Sequence, residues 1–167
     1  MLGYILRPEG AQSAAVDQLL DALAQALGAE GVALGGGVQS AGQGPGCRAE
    51  MRLRLLGSGE ERVISQPLGS GAEGCRLDSG ALELAVEAMS RRLPAARLVI
   101  LNKFGKQEAA GRGVRPLVAH AMVLGLPVLL SVSPEVLDEF RSFAGGLAEA
   151  VAPEGAEAWC RGAMAAA

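Results

Sequence analysis

The sequence predicts an α/β fold: a three-layer sandwich in which helices cover both faces of a mostly parallel sheet, with one β-hairpin inserted. Three observations predict it. Strand-like and helix-like segments alternate along the chain. The stretches 97–101 and 127–132 are nearly unbroken apolar runs, as strands buried on both faces tend to be. Only 51–55 shows the period-2 alternation of a half-exposed antiparallel strand.

The elements follow in order. Residues 2–6 are an apolar run stopped by Arg7-Pro8-Glu9-Gly10, a strand and its turn. Ser13 precedes an amphipathic stretch with Val16, Leu19, Leu20, Leu23 and Leu27 at helical spacing, closed by Gly28 and Gly31. Residues 32–38 read as a second strand, although Gly35, Gly36 and Gly37 weaken it. After a loop at 40–46 comes the hairpin, within 48–66. Met51, Leu53 and Leu55 alternate with Arg52 and Arg54, Gly57-Ser58-Gly59 turns, and 62–65 returns. A glycine-rich excursion over 67–76 ends where Asp78 or Ser79 caps a helix running to about Leu93 on Leu82, Val86 and Met89. The central strand 97–101 gives way to a polar loop over 102–115. Pro116 then opens a helix carrying Val118, Met122 and Leu124, ended by Gly125. Strand 127–132 and a short helix from Ser133-Pro134-Glu135 to about Phe143 follow. The remainder reads as alanine-rich helix with a soft tail over 162–167. The predicted order is β-α-β-(ββ)-α-β-α-β-α, in one domain spanning 1–167.

Composition excludes several classes. With 167 residues, half of them apolar, the chain can bury a substantial core. A net charge of −3 and 3% aromatic residues argue against a nucleic-acid partner. No apolar run approaches a membrane span and the N-terminus has no secretion-signal pattern, so a cytoplasmic protein without membrane insertion is expected. Cys47, Cys75 and Cys160 are widely spaced and His120 is the only histidine, which leaves no metal-ligand set.

In sheets of this kind ligands bind beyond the carboxyl ends of the strands, which selects two loops, 7–13 and 102–115. The second contains the only two lysines of the chain, Lys103 and Lys106. Together with Arg112 and Arg115 they face one carboxylate, Glu108. Gly105, Gly111 and Gly113 would leave backbone amides free for an anion, and a helix starting near Arg115 would add its partial positive charge. The pattern suits phosphate or another oxyanion; the alternative is a solvated charged loop. The first loop, aligned on Ser13 against G-x-x-x-x-G-K-[ST], keeps the hydroxyl. It has Gln12 for the lysine and Leu6 and Ala11 for the glycines, with Gly10 next door: a degenerate Walker A.

Other residues carry weaker readings. Ser13 is a helix N-cap or a phosphate donor. Cys75 is a small buried residue or a nucleophile, and Cys47 a loop residue or a soft ligand. Arg76 belongs to the anion site or to a surface pair, and Ser65-Gln66 would line the same cleft. Asp78 is an N-cap, and His120 a satisfied or half-exposed helix histidine rather than a ligand. Trp159 anchors the last helix or meets a second copy in a homodimer.

The stretch LVILNKFGKQE at 98–108 with Gly111-Arg112-Gly113, and upstream Ile64-Ser65-Gln66 and Gly74-Cys75-Arg76-Leu77-Asp78, resembles a bacterial family of unknown function. Its members are described as nucleotide-binding or nucleoside-triphosphatase-like and are often encoded beside molybdate ABC-transporter genes. The resemblance covers nearly the whole chain, with NKFGKxE as its signature. It implies a P-loop-NTPase-like fold, distantly similar to the small nucleoside triphosphatases of thermophiles. P-loop hydrolases use a lysine on the β and γ phosphates and an acidic residue at the end of a central strand to hold Mg²⁺. Here Gln12 occupies the lysine position, and Asn102-Lys103 stands where those triphosphatases place Asp-Glu, while Gly105-Lys106-x-Glu108 resembles theirs.

The resulting expectation is a metal-independent site for a nucleotide or an oxyanion such as phosphate, sulfate or molybdate, with no or weak hydrolysis and a link to molybdenum uptake or use. Arg7, Gly10, Gln12 and Ser13 would form it from one loop, and Asn102, Lys103, Lys106, Arg112 and Arg115 from the other. If water is activated, Glu108 orients it; otherwise Glu108 is a counter-ion for Arg112 or Arg115. The alternatives are a slow nucleoside triphosphatase and a regulatory or scaffold protein without a small-molecule ligand.

Overall fold

The computed structural model describes residues 1–10, 13–40, 51–66 and 77–167. Expectations for Gln12, Cys47, Cys75, Arg76 and the side chain of Ser13 lie outside the described residues.

Strands β1 (Leu2–Leu6), β2 (Leu34–Ser40), β5 (Leu98–Phe104), β6 (Val128–Val132) and β7 (Ala148–Ala150) are parallel. The hairpin β3 (Arg52–Leu55) and β4 (Glu61–Val63) adds antiparallel to β2, giving one sheet in the order β4-β3-β2-β5-β6-β1-β7. Helices α1 (Ser13–Ala29) and α6 (Ala156–Ala166) cover one face, where Leu20, Leu27 and Cys160 pack with Ile5, Ile100 and Leu129. Helices α2 (Ser79–Ser90), α4 (Arg115–Val123) and α5 (Leu137–Ala144) cover the other, where Met89, Leu117 and Phe140 pack with Val99, Leu101 and Leu130. A single turn, α3 (Lys106–Ala109), follows β5. The fold class expected from the sequence is therefore the observed one.

Burial on both faces explains the apolar runs of β5 and β6. It also explains the three glycines of β2. A Cβ on Gly36, where φ is +95°, would lie 2.2 Å from the Ile100 carbonyl oxygen, and one on Gly37 would lie 2.8 Å from Met89 Sδ. The strand tolerates glycine because β5 and α2 press against it. At its start α2 is capped by Asp78, whose Oδ1 accepts from the Ala81 amide at 2.9 Å. Trp159 is a packing anchor: its indole covers Gly3, where a Cβ would come within 2.7 Å, and Nε1 donates to Glu149 Oε1. Arg161 joins α6 to α1 through Glu30 at 2.7 Å and holds that carboxyl below its ordinary range. All three phenylalanines and the one tyrosine form a cluster, Tyr4–Phe140–Phe104–Phe143, with centroids 5.1–5.7 Å apart.

Five expectations need correction. β2 starts at Leu34 rather than 32, and α2 stops at Ser90, followed by a 3₁₀ turn at Leu93–Ala95. The strand expected to end at 101 continues to Phe104, so the stretch read as polar loop begins with strand. Beyond α5, the chain adds the short edge strand β7, which the sequence reading missed. Helix α6 reaches Ala166 with Ala163 buried, so helix occupies the stretch expected to be a soft tail.

The extension of β5 depends on a bulge. Leu101 pairs with Leu130 and Lys103 with Ser131, which makes Asn102 the extra residue. A bulge reverses the side-chain alternation. Phe104 accordingly joins Leu101 in the core under α5, and Lys103 is exposed.

Burial pushes the Cys160 thiol up to about 12, with the Glu157 charge adding to it. In the native protein at pH 8, Cys160 should resist alkylation by iodoacetamide and react only once denaturant is added, as read by peptide mass mapping. Modification at the rate of an open thiol would contradict the packing of α6 against the sheet.

Candidate functional site

Strand β1 leads into α1 on one face, while its neighbour β6 leads into α5 on the other. Their connections part at the carboxyl edge and leave a crevice, the usual position for a ligand in an open α/β sheet. A cavity of about 520 Å³ occupies it, lined by Arg7 to Gly10 after β1, Lys103 of β5, and Ser133, Pro134 and Glu135 after β6. A second cavity of about 280 Å³ lies between the ends of β2 and β5 and the hairpin, and shares Lys103 and Glu135 with the first. Gln39, Asn102, Lys106 and Glu108 contribute its polar wall.

The structure thus brings Arg7, Gly10 and Lys103 to one cavity and Asn102, Lys103, Lys106 and Glu108 to the other. Arg112 and Arg115 line neither. Arg112 Nε donates to Gln107 Oε1 at 3.1 Å. Arg115 donates to the Glu108 and Ala109 carbonyls and lies 4.7 Å over the Phe143 ring. Ser65, expected at the cleft, accepts from the Met51 amide at 3.0 Å.

Arg7 is buried, and its guanidinium bonds both Asp17 oxygens, at 2.7 and 2.9 Å, and Ser131 Oγ at 3.0 Å. The Ser131 hydroxyl donates in turn to the Asn102 carbonyl. The Asn102 side chain exchanges two bonds with Gln39 on β2: Oδ1 accepts from the Gln39 amide and Nδ2 donates to Oε1. This network ties β1, α1, β6, β5 and β2 together around the bulge and fixes the backbone from which Lys103 projects. Lys103 and Lys106 are exposed and have no ion-pair partner among the described residues.

The glycine loop departs from its expected chemistry. Its amides are occupied by the protein's own carboxylates: Glu108 Oε2 accepts from Gly105 at 2.8 Å, Glu108 Oε1 from Val114 at 3.0 Å, and Glu83 Oε1 from Gly113 at 3.0 Å. Glu108 is buried and its side chain reaches back to the amide of Gly105, the N-cap of α3, which is one half of a capping box. Each of its oxygens accepts one backbone amide, and it makes no ion pair with an arginine side chain among the described residues. The glycine at 113 has a steric cause, since a Cβ there would meet Glu108 Oε1 at 2.1 Å. Gln39, Glu9 and Glu135 escaped the sequence reading as wall residues. Each stands at or just beyond the end of a strand, and that position was the available signal.

A family model described as a protein of unknown function (DUF2478) matches residues 5–159. A curated relative from Bradyrhizobium diazoefficiens, named Molybdenum import ATP-binding protein ModC 2, is 41% identical over 150 residues. The match takes in 87% of this chain but only 17% of the relative's length. Among solved structures, THEP1 from the hyperthermophile Aquifex aeolicus superposes with a TM-score of 0.56 at 16% identity, covering 97% of this chain and 96% of that one. The α/β fold expected for this chain is thereby one it shares with that structure.

Proposed function

The chain belongs to the DUF2478 family, and for this member we propose nucleotide or oxyanion binding at the carboxyl edge of the sheet, with Lys103 as the cation that holds the anion. One observation carries the proposal. Lys103 stands on the wall common to both cavities, on the strand end that the bulge extends, and it makes no ion pair among the described residues although Glu9 and Glu135 line the first cavity with it. Such an ammonium favours a mobile anion over an empty cleft.

Gln12 in the place of a Walker A lysine, and Asn102-Lys103 at the end of β5, support a site in which Lys103 replaces the metal. Both oxygens of Glu108 bind backbone amides, which supports no or weak hydrolysis. The relative's printed role, ATP binding in molybdenum import, supports a nucleotide as the ligand and molybdenum uptake as the process.

A thermal-shift panel tests the proposal: phosphate, sulfate, molybdate, ADP and ATP, each in EDTA and then with Mg²⁺. A ligand at a hundred times its Kd adds about 2.7 kcal/mol, which is readily seen. The expected result is a shift in EDTA that Mg²⁺ does not enlarge. No shift with any anion, or Mg²⁺-dependent ATP turnover near about 1 s⁻¹, the low end of ordinary enzyme rates, would overturn it.

Glu9 and Glu135 share the wall with Lys103. Removing one like charge from a wet cavity is worth about 0.5–1 kcal/mol. Glu135→Gln should therefore tighten anion binding by about two- to fivefold in a titration at low salt. Weaker binding in that variant would mean that Glu135 accepts a hydrogen bond from the ligand.

A further inference from the structure

We infer that the smaller cavity, between the ends of β2 and β5 and the hairpin, takes the single apolar ring of an organic phosphate whose anionic group sits at Lys103. The inference rests on Lys103 as the anion-binding cation and adds the chemical class of the ligand's body.

Three features point to it. The first is a mixed lining: Leu53, Ile64, Leu77 and Leu82, from the hairpin and the start of α2, contribute apolar surface, while Lys103 and Lys106 come from the end of β5 and the start of α3. Inorganic phosphate or molybdate has nothing to place against four aliphatic side chains, whereas a ring does. The second is size. At about 280 Å³ the cavity falls just below the usual range for drug-sized ligands, which is ample for one ring.

The third is a fixed polar edge. Asn102 and Gln39 hold each other by two hydrogen bonds, and Glu108 on the same wall has both oxygens occupied by backbone amides. Glu108 and Gln107 are thereby engaged within the protein, and the described side chains left on this wall are the two lysines, Glu135 and the apolar residues. Lys103 opens onto both cavities, so a group held by its ammonium can extend into the smaller one.

The test is a calorimetric titration of the full chain in EDTA with inorganic phosphate, phenyl phosphate and phenol. Phenyl phosphate should bind at least tenfold tighter than inorganic phosphate, a gain of about 1.4 kcal/mol. Phenol alone should bind far more weakly than phenyl phosphate. Filling the cavity by Leu77→Trp should remove the phenyl gain and leave inorganic phosphate binding unchanged. Methyl NMR of the unmodified chain gives the same answer if that variant does not fold. Phenyl phosphate should shift the methyls of Ile64, Leu77 and Leu82, and inorganic phosphate should leave them in place.

Phosphate binding without a phenyl gain, or with phenyl-induced shifts at other methyls, would overturn this inference and leave the Lys103 site standing. Failure of both anions to bind would remove the Lys103 site and this inference together.

Discussion

Replacing Gly36 by alanine is expected to destabilise the protein by about 3 kcal/mol or more, through one added methyl group. Two costs combine. At φ +95° an L-residue carries backbone strain of about 1–3 kcal/mol. The new Cβ would also lie 2.2 Å from the Ile100 carbonyl oxygen, which β5 holds in its ladder and cannot move cheaply. Gly31 provides the control: its φ is +83° and nothing lies within 4 Å of its would-be Cβ. Gly31→Ala should show the strain alone, about 1–2 kcal/mol. Urea unfolding of the two variants measures the difference directly. Equal effects would contradict the close approach of β2 to β5.

The second large effect is at Glu108. Glu108→Ala leaves the Gly105 and Val114 amides without their acceptor in a buried setting, at about 1–3 kcal/mol for each. A loss of about 3 kcal/mol is expected, with Glu108→Gln costing less because one acceptor oxygen remains. Denaturant unfolding gives the loss, and anion titration below the transition shows whether binding survives. The structural role requires a marked loss of stability. A variant of native stability that had lost an ATP hydrolysis activity would instead make Glu108 a catalytic group.

Much of the fold was legible in the sequence because its physical causes are local. The buried runs of β5 and β6, the amphipathic spacing of α1 and the Asp78 cap each leave a pattern within a few residues. The hairpin announced itself in the alternation around Arg52 and Arg54. What escaped depends on partners distant in sequence. Strand β7 is only Ala148–Ala150 and exists through pairing with β1, for which a run of alanine and glutamate gives no signal. The bulge at Asn102 is held by Ser131 and Gln39, 29 and 63 residues away.

The site was legible to the same degree. The cationic run put Lys103 and Lys106 together, and both line the smaller cavity because Lys103 lies near the end of β5 and Lys106 just beyond it. Charge alone could not show that Arg7 would be paired with Asp17, or that Arg115 would lie over Phe143. Nor could the glycines at 105 and 113 show that their amides face Glu108 and Glu83 rather than a ligand.

Anion titration of Lys103→Ala beside Lys106→Ala is the most direct measurement of the site. Lys103 borders both cavities and Lys106 only the smaller one. With the tightest anion of the panel, in EDTA and at low salt, Lys103→Ala should weaken binding at least tenfold, about 1.4 kcal/mol, and Lys106→Ala by less. A Lys103→Ala protein that binds the anion as tightly as the unmodified chain would contradict the placement of the anion at this lysine.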